Sequence, residues 1–382
     1  MTERARIVVV GAGYAGVMAA NRIAARSRDV EVTVVNPRPE FVERIRLHQY
    51  VAGTARAVVP LAGVLRREVR LRVATVDVIA ERSIRLADGE VLEFDHLVYA
   101  VGSRSGRRMG GGANAVGDLG AAHQLRERVL ALPQGARVVV VGGGLTGVET
   151  SAELAERFPA LRVELVSPMV APSLPSHTRA RVERTLTRLG VAIRAATATS
   201  VHADRVDTDG GVLSSDCTIW AGPFEVPDLA LRSGLPVDEQ GRLRTDETLA
   251  CVGHPRIVGV GDAVAPPTSV AGHLRMSCQA AIPLGAHGAD TVLALIRGEE
   301  PTPLSIGLVG QAVGLGRRAA IIQAARADDS PRGAVLSGRP AALVKELVCR
   351  STVLSIKSMP AAYRWSSGPT PTRVDREEAA VR

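Results

Sequence analysis

Unbroken runs of branched apolar residues recur along the chain, each closed by glycine or a short polar residue. The first, in Ala5 to Gly16 (A-R-I-V-V-V-G-A-G-Y-A-G), puts Ile7 to Val10 directly before a glycine loop, after which Val17, Ala20, Ile23 and Ala24 recur at helical spacing. A strand covered on both faces needs such a run, whereas a half-buried strand alternates apolar and polar positions. Val30 to Val35, Phe94 to Gly102, Val138 to Val141, Arg162 to Val166 and Arg256 to Ala263 read as further buried strands. Strands of this kind separated by helical patterns predict an α/β fold with parallel sheets. Alternating stretches from Val73 to Ile84 and an Asp88-Gly89 turn add a predicted hairpin.

The opening pattern occurs twice. Ala136 to Glu149 reads A-R-V-V-V-V-G-G-G-L-T-G-V-E, again strand, G-x-G-x-x-G loop and helix. Glycines there let backbone approach a pyrophosphate that lies on the unpaired N–H groups of a helix N-terminus. One such loop is a weak signal; two, each after a valine-rich strand, imply two dinucleotide sites. The strands that follow the two helices end on Asn36, before Pro37, and on Ser167. An acidic residue at such a position commonly holds the adenosine ribose. Asn36 can still donate and accept hydrogen bonds there, without the charge that strengthens them, and it also suits a simple turn. Ser167 removes the repulsion that a carboxylate would exert on a 2′-phosphate, and Arg179 and Arg181 lie further on, so the choice between NADH and NADPH stays open. Asp262 closes a buried strand in V-G-V-G-D, where a carboxylate can bind ligand hydroxyls or cap a helix.

Composition narrows the classes. The chain has 382 residues, 46% hydrophobic, enough for two or three packed domains. Aromatic residues make up only 3%, which leaves few platforms for base stacking. The net charge of +8 comes from scattered arginines, Lys345 and Lys357 being the only lysines, so no nucleic-acid surface is expected. Cys217, Cys251, Cys278 and Cys349 show neither C-x-x-C nor zinc spacing, so no metal site or local dithiol is expected. From that usage, and from the lack of a secretory pattern at the N-terminus, a cytoplasmic location is expected. Arg339 to Ser358 reads as an amphipathic helix, with Leu343, Val344, Leu347, Val348 and Leu354 apolar and Lys345, Arg350 and Lys357 off that stripe. Packing on the protein body is the favoured reading; a peripheral seat at the inner face of the membrane or a homodimer contact stays open. The tail from Ser366 reads as flexible.

Taken together, G-A-G-Y-A-G, Y-A-V-G, G-G-G-L-T-G-V-E and V-G-V-G-D resemble the FAD-dependent pyridine nucleotide oxidoreductases with two dinucleotide-binding domains, in the type II NADH dehydrogenase and apoptosis-inducing-factor-like branch. The resemblance implies two Rossmann-like domains. An FAD domain would comprise residues 1–110 and 226–300, an NAD(P)H domain 111–225 would be inserted into it, and an interface or membrane-facing region 301–365 and a tail 366–382 would follow. FAD would lie on Gly11, Gly13 and Gly16, with Tyr14 and Ala15 between them. Asn36, Pro37 and Val73 would line its adenosine end, and Ala100, Gly102, Gly261, Asp262 and Cys278 the rest of the cofactor. NAD(P)H would lie on Gly142, Gly144 and Gly147, with Ser167 and Gly222 nearby.

The resemblance implies transfer of a hydride from NAD(P)H to FAD and of electrons onward to a quinone-like small acceptor. Glu149 falls where the family keeps a glutamate close to both reacting rings, and His48 and Gln279 are candidates for the acceptor side, His48 as a proton donor near neutral pH. Two departures stand out. No cysteine lies between Asn36 and Leu71, which argues against disulfide reduction, and C-Q-A-A-I-P-L-G keeps Gln279 but has Pro283 in place of a second glutamine. A ferredoxin-type reductase, a biosynthetic oxidoreductase with a dedicated substrate, or a flavin-bound redox sensor are the alternatives.

Overall fold

The computed structural model describes residues 4–106 and 112–369. Its first sheet holds β1 (Ala5–Val10) and β2 (Val30–Asn36), joined by helix α1 (Tyr14–Arg26). The strand order across this sheet is 250–251, 254–259, 96–99, β1, β2, 69–73, and all neighbours are parallel except the first pair. The unbroken apolar run of β1 has a direct cause: both faces of the sheet are covered. Ile7 and Val9 pack on α1 and on a long helix from late in the chain. Val8 and Val10 face the other way, onto a core shared with Val76, Ile79, Ile84 and Leu86. Those residues belong to a three-stranded antiparallel sheet whose turn places Gly89 at φ +90°, as the Asp-Gly signal predicts. A short helix α2 (Leu47–Ala52) carries His48.

The second sheet repeats this plan. β3 (Arg137–Val141), α3 (Leu145–Arg157) and β4 (Arg162–Val166) form its centre, in the parallel order 113–115, 217–220, β3, β4, 192–194. Val138 and Val140 pack in the core that contains Val148, Ala152 and Leu154 of α3. Val139 and Val141 face Ala198, Val201 and Val206 of another three-stranded antiparallel sheet. The chain then returns to the first sheet through strand 254–259, so the second sheet is built from residues lying between two parts of the first.

Helix α4 (Cys278–Arg297) runs through Pro283 without a break and is capped by Ser277, which accepts the Ala280 N–H. It lies hard against α1: a Cβ on Gly285 would stand 2.3 Å from the Ala15 carbonyl oxygen. Strands β5 (Gly310–Gly314), β6 (Ala320–Ala325) and β7 (Pro331–Gly338) form an antiparallel sheet that leads into helix α5 (Arg339–Ser358).

The face of α5 that turns inward differs from the expectation. Its buried stripe is Ala341, Cys349, Thr352 and Ile356, with the Lys345 side chain only 14% exposed on the same helical row. Leu343 and Leu347 point out at 69% and 64% exposure. Beyond the helix the chain is tied down again: Ser366 accepts the Gly307 N–H, and the Ser305 hydroxyl accepts the Gly368 N–H. The expected flexible tail is therefore held at its start, and its remainder from 370 lies outside the described residues.

Candidate functional site

The two glycine loops have nearly the same local geometry. Gly11 and Gly142 sit at φ +104° and +119°, and a Cβ on them would meet the Ala100 and Ala221 carbonyl oxygens at 2.3 and 2.4 Å. Gly16 and Gly147 are pressed onto the Gly11 and Gly142 carbonyls, at 1.9 and 1.8 Å from a built Cβ. Gly13 and Gly144, by contrast, have nothing within 4 Å of that point. They are also the N-caps of α1 and α3, and neither helix start has a side-chain cap. Two glycines in each loop are thus required by packing, and the third leaves backbone facing open space beside unpaired helix N–H groups. That combination fits a pyrophosphate.

At the end of β2, Asn36 accepts the Ala12 N–H at 3.0 Å and donates to the Arg38 carbonyl at 2.7 Å, so it ties the first loop to the turn at Pro37. Val73 lies opposite it in register and is 44% exposed. At the end of β4, Ser167 donates to the Met169 carbonyl instead, and a Cβ on Gly143 would stand 2.2 Å from that same oxygen. Arg179 reaches back to Met169, which brings a guanidinium beside this strand end. Tyr14 packs edge-on against Phe41, while Ala15 fills the contact with Gly261 and Gly285. Gly222 is closed by the Trp220 ring, 2.4 Å from a built Cβ.

Asp262 accepts the Ser103 hydroxyl at 2.7 Å, just past Gly102, and its carboxylate stands 4.0 Å from Arg44. Arg44 donates to the Ser103 carbonyl and hydroxyl and lies over the Phe224 ring, yet its Nη2 is buried without a hydrogen-bond partner among the described residues. Burial lowers its affinity for its proton, against the pull of Asp262. A guanidinium nitrogen left unpaired next to a ligand groove fits an anionic or hydroxyl-rich cofactor. A cavity of about 170 Å³ runs from Gly261 and Asp262 past Arg275 and Met276 to Ala280 on α4.

Glu149 is assembled from four parts of the chain. From α3 it accepts the Gly314 N–H at the end of β5 at 2.8 Å and pairs with Lys345 of α5. Its other oxygen lies 4.0 Å from His48 Nδ1. Burial alone would raise the Glu149 carboxyl, but Lys345, then His48 and the Gly314 N–H, outweigh it and hold it below the usual carboxylate range. Burial pushes His48 down to about 4, with Lys345, Arg317 and Arg46 adding to the effect against Glu149. That direction favours the neutral imidazole in the fold. Two residues before it, Arg46 grips Glu346, the neighbour of Lys345, at 3.0 and 3.1 Å. Gln279 accepts from Arg275 at the start of α4, apart from these contacts, and Cys278 precedes it.

A model of the pyridine nucleotide-disulphide oxidoreductase family matches residues 5–285. The chain belongs to this family. It is an oxidoreductase that works with FAD and NAD(P)H. An NADH dehydrogenase-like protein of Mycobacterium tuberculosis is 29% identical over 326 residues, covering 75% of this chain and 80% of that one. The demethylphylloquinone reductase of Synechocystis is 25% identical and covers 91% and 92%. The sulfide:quinone oxidoreductase of Aquifex aeolicus shares the fold, with a TM-score of 0.77 at 15% identity over 94% and 93% of the two chains.

The disulphide in the family's name has little support among this member's thiols. All four cysteines are free, and burial pushes Cys217 and Cys278 up to about 11 and Cys251 to about 12, so the reactive thiolate is suppressed. Sequence reasoning missed Lys345, Gly314 and Arg44. For Lys345 a signal existed: one of two lysines among dozens of arginines lands on the buried glutamate. Among the described residues no cluster of three or more His, Cys, Asp or Glu is placed to hold a metal, and no helix is long and apolar enough to cross a membrane.

Proposed function

We propose that this oxidoreductase passes electrons from NAD(P)H through FAD to a quinone. FAD lies on the first glycine loop and in the Asp262 groove, in a domain formed by 1–110 and 226–300, and the nicotinamide dinucleotide lies on the second loop within 111–225. When bound, FAD would supply the redox chemistry, hydride acceptance from NAD(P)H and two-electron reduction of the acceptor. The chain's own residues bind and orient. Gly13 and Gly144 clear space for the pyrophosphates, α1 and α3 offer their N-terminal N–H groups, and Asn36 and Val73 border the adenosine. Asp262 keeps one carboxylate oxygen free of Ser103 for a ligand hydroxyl. Arg44 Nη2 finds its missing acceptor on the cofactor. Glu149, held anionic, is a fixed hydrogen-bond acceptor at the point where the two halves meet, and Lys345 holds it there.

The observation that carries the quinone reading is a cavity of about 370 Å³ that opens beside this pair, between the β5–β6 turn and α5. It falls in the about 300–1,000 Å³ range of small-molecule sites. The name of the Synechocystis relative, a demethylphylloquinone reductase, agrees with it. The outward apolar face of α5 at Leu343, Leu347 and Leu354 supports a peripheral seat on a lipid surface or a contact with a second copy. Anaerobic mixing with NADH and NADPH, followed by menadione or a ferredoxin, tests the proposal. Flavin bleaching on the enzyme's turnover timescale and reoxidation by menadione are expected; reoxidation by ferredoxin alone overturns the quinone reading.

A further inference from the structure

The cavity beside Lys345 is lined by an unbalanced set of charges. Ala319, Ala320, Ala342, Leu343 and Cys349 give it apolar walls, but four cations, Arg317, Arg318, Arg339 and Lys345, stand on it against one carboxylate, Glu346. That carboxylate is already shared among Arg46, Arg350 and Arg317, at 3.0, 2.9 and 3.5 Å. Lys345 is committed to Glu149. Arg318 touches Glu156 but remains 83% exposed. The Arg339 side chain makes no hydrogen bond or ion pair among the described residues. Arg339 and Lys345 are six residues apart on one helix, about 9 Å along its axis at 1.5 Å per residue. One end of the cavity thus carries free guanidinium and the other adjoins the Glu149 pair.

We infer that the acceptor entering this cavity is an aromatic quinone bearing an acidic substituent, a carboxylate or its equivalent, which pairs with Arg339 and Arg318 while the ring lies towards Lys345. The inference rests on the quinone reading above. A neutral ring with an isoprenoid tail gains nothing from free guanidinium groups. An anionic one forms charge-assisted, forked hydrogen bonds with them beside the apolar wall. The reaction keeps the substituent intact: NAD(P)H, one proton and the quinone give NAD(P)+ and the quinol, with two electrons transferred.

The probes are menadione, neutral, and 1,4-naphthoquinone-2-sulfonate, anionic, assayed without vesicles at low and high salt. Their intrinsic reactivities differ, so the readout is the ratio of their kcat/KM values, compared between proteins. Arg339→Gln is expected to lower the sulfonate-to-menadione ratio about fivefold through the KM for the sulfonate, Arg339→Lys to recover part of it, and high salt to erode it. Arg188→Gln, the same charge change at an exposed helix end outside the cavity lining, leaves the ratio as it is and controls for net charge. An unchanged ratio in Arg339→Gln overturns the inference. It falls equally if Arg339→Gln spares the ratio but weakens binding to phosphatidylglycerol vesicles, since the arginines then serve a lipid surface. Reduction of neither quinone, with the flavin still bleached by NAD(P)H, strikes the quinone reading itself.

Discussion

The two glycine loops are built alike and held differently. Each places its first and third glycines against the same kind of carbonyl and leaves the middle one open. The first loop, however, is anchored by a side chain, Asn36, which spans from the Ala12 N–H to the Arg38 carbonyl. The second is anchored by backbone, with Gly143 seated on Met169 and its carbonyl accepting the Ala171 N–H. The helices diverge too. Two residues past the third glycine, α1 carries Met18, fully buried among apolar neighbours, and α3 carries Glu149, buried but paired with Lys345. One scaffold therefore carries an apolar side chain at this position in one copy and a paired carboxylate in the other, and the difference lies in a few side chains rather than in the fold.

The largest expected effect separates the two loops outright. Gly13→Leu should yield colourless protein, whereas Gly144→Leu should stay yellow but be reduced by NAD(P)H at least about a hundredfold more slowly. Absorbance and stopped-flow traces read both, and equal loss of flavin in the two variants would end the assignment of separate roles.

Breaking the Glu149–Lys345 pair comes next. Glu149→Gln leaves a buried ammonium uncompensated and should cost about 3–5 kcal/mol in urea unfolding, with much of that recovered in the double variant with Lys345→Met. Met18→Leu, at the matching position of the first half, should cost under about 1.5 kcal/mol. A Glu149→Gln cost no larger than that of Met18→Leu would mean that the pair is solvated.

His48 gives a pH signature. Its folded pKa is lowered to about 4, so between pH 6.5 and 4 the unfolded chain binds a proton that the native one refuses. Stability should fall by about 3 kcal/mol as pH drops through that window and show no such slope above it. His48→Asn should flatten the fall, and an unaltered profile would show that the imidazole titrates in the fold as it does in the unfolded chain.

The smallest effects lie at the strand ends. Asn36→Ala removes two hydrogen bonds to backbone and should weaken flavin retention by about 1–2 kcal/mol without abolishing it. Ser167→Asp should lower the preference for NADPH over NADH about tenfold by repelling the 2′-phosphate near Arg179. If it leaves that ratio unmoved, the adenosine ribose lies elsewhere.

Much of this was legible in the sequence because it is local. A loop that needs positive φ at Gly11 and Gly142, and no Cβ at Gly16 and Gly147, writes its glycines at fixed spacing, and strands covered on both faces write unbroken valine runs. The orientation of α5 was not legible. Its hydrophobic stripe predicts an inward apolar face, yet Lys345 and small residues turn inward, and the leucines turn out. Periodicity marks which residues share a face of a helix, but not which face meets the protein.

By itself, then, the chain determined two dinucleotide loops, their order and their α/β setting, since the positive φ of the first glycine and its contact with the third lie within a single loop, even though Gly11 and Gly142 also press on the distant Ala100 and Ala221. Only the tertiary structure decided what surrounds Glu149. His48, Gly314 and Lys345 come from 101, 165 and 196 residues away to set its charge, and Arg46 and Glu346 bring two of those segments together. A buried carboxylate takes its ionisation from whatever packs against it, and no local spacing records that.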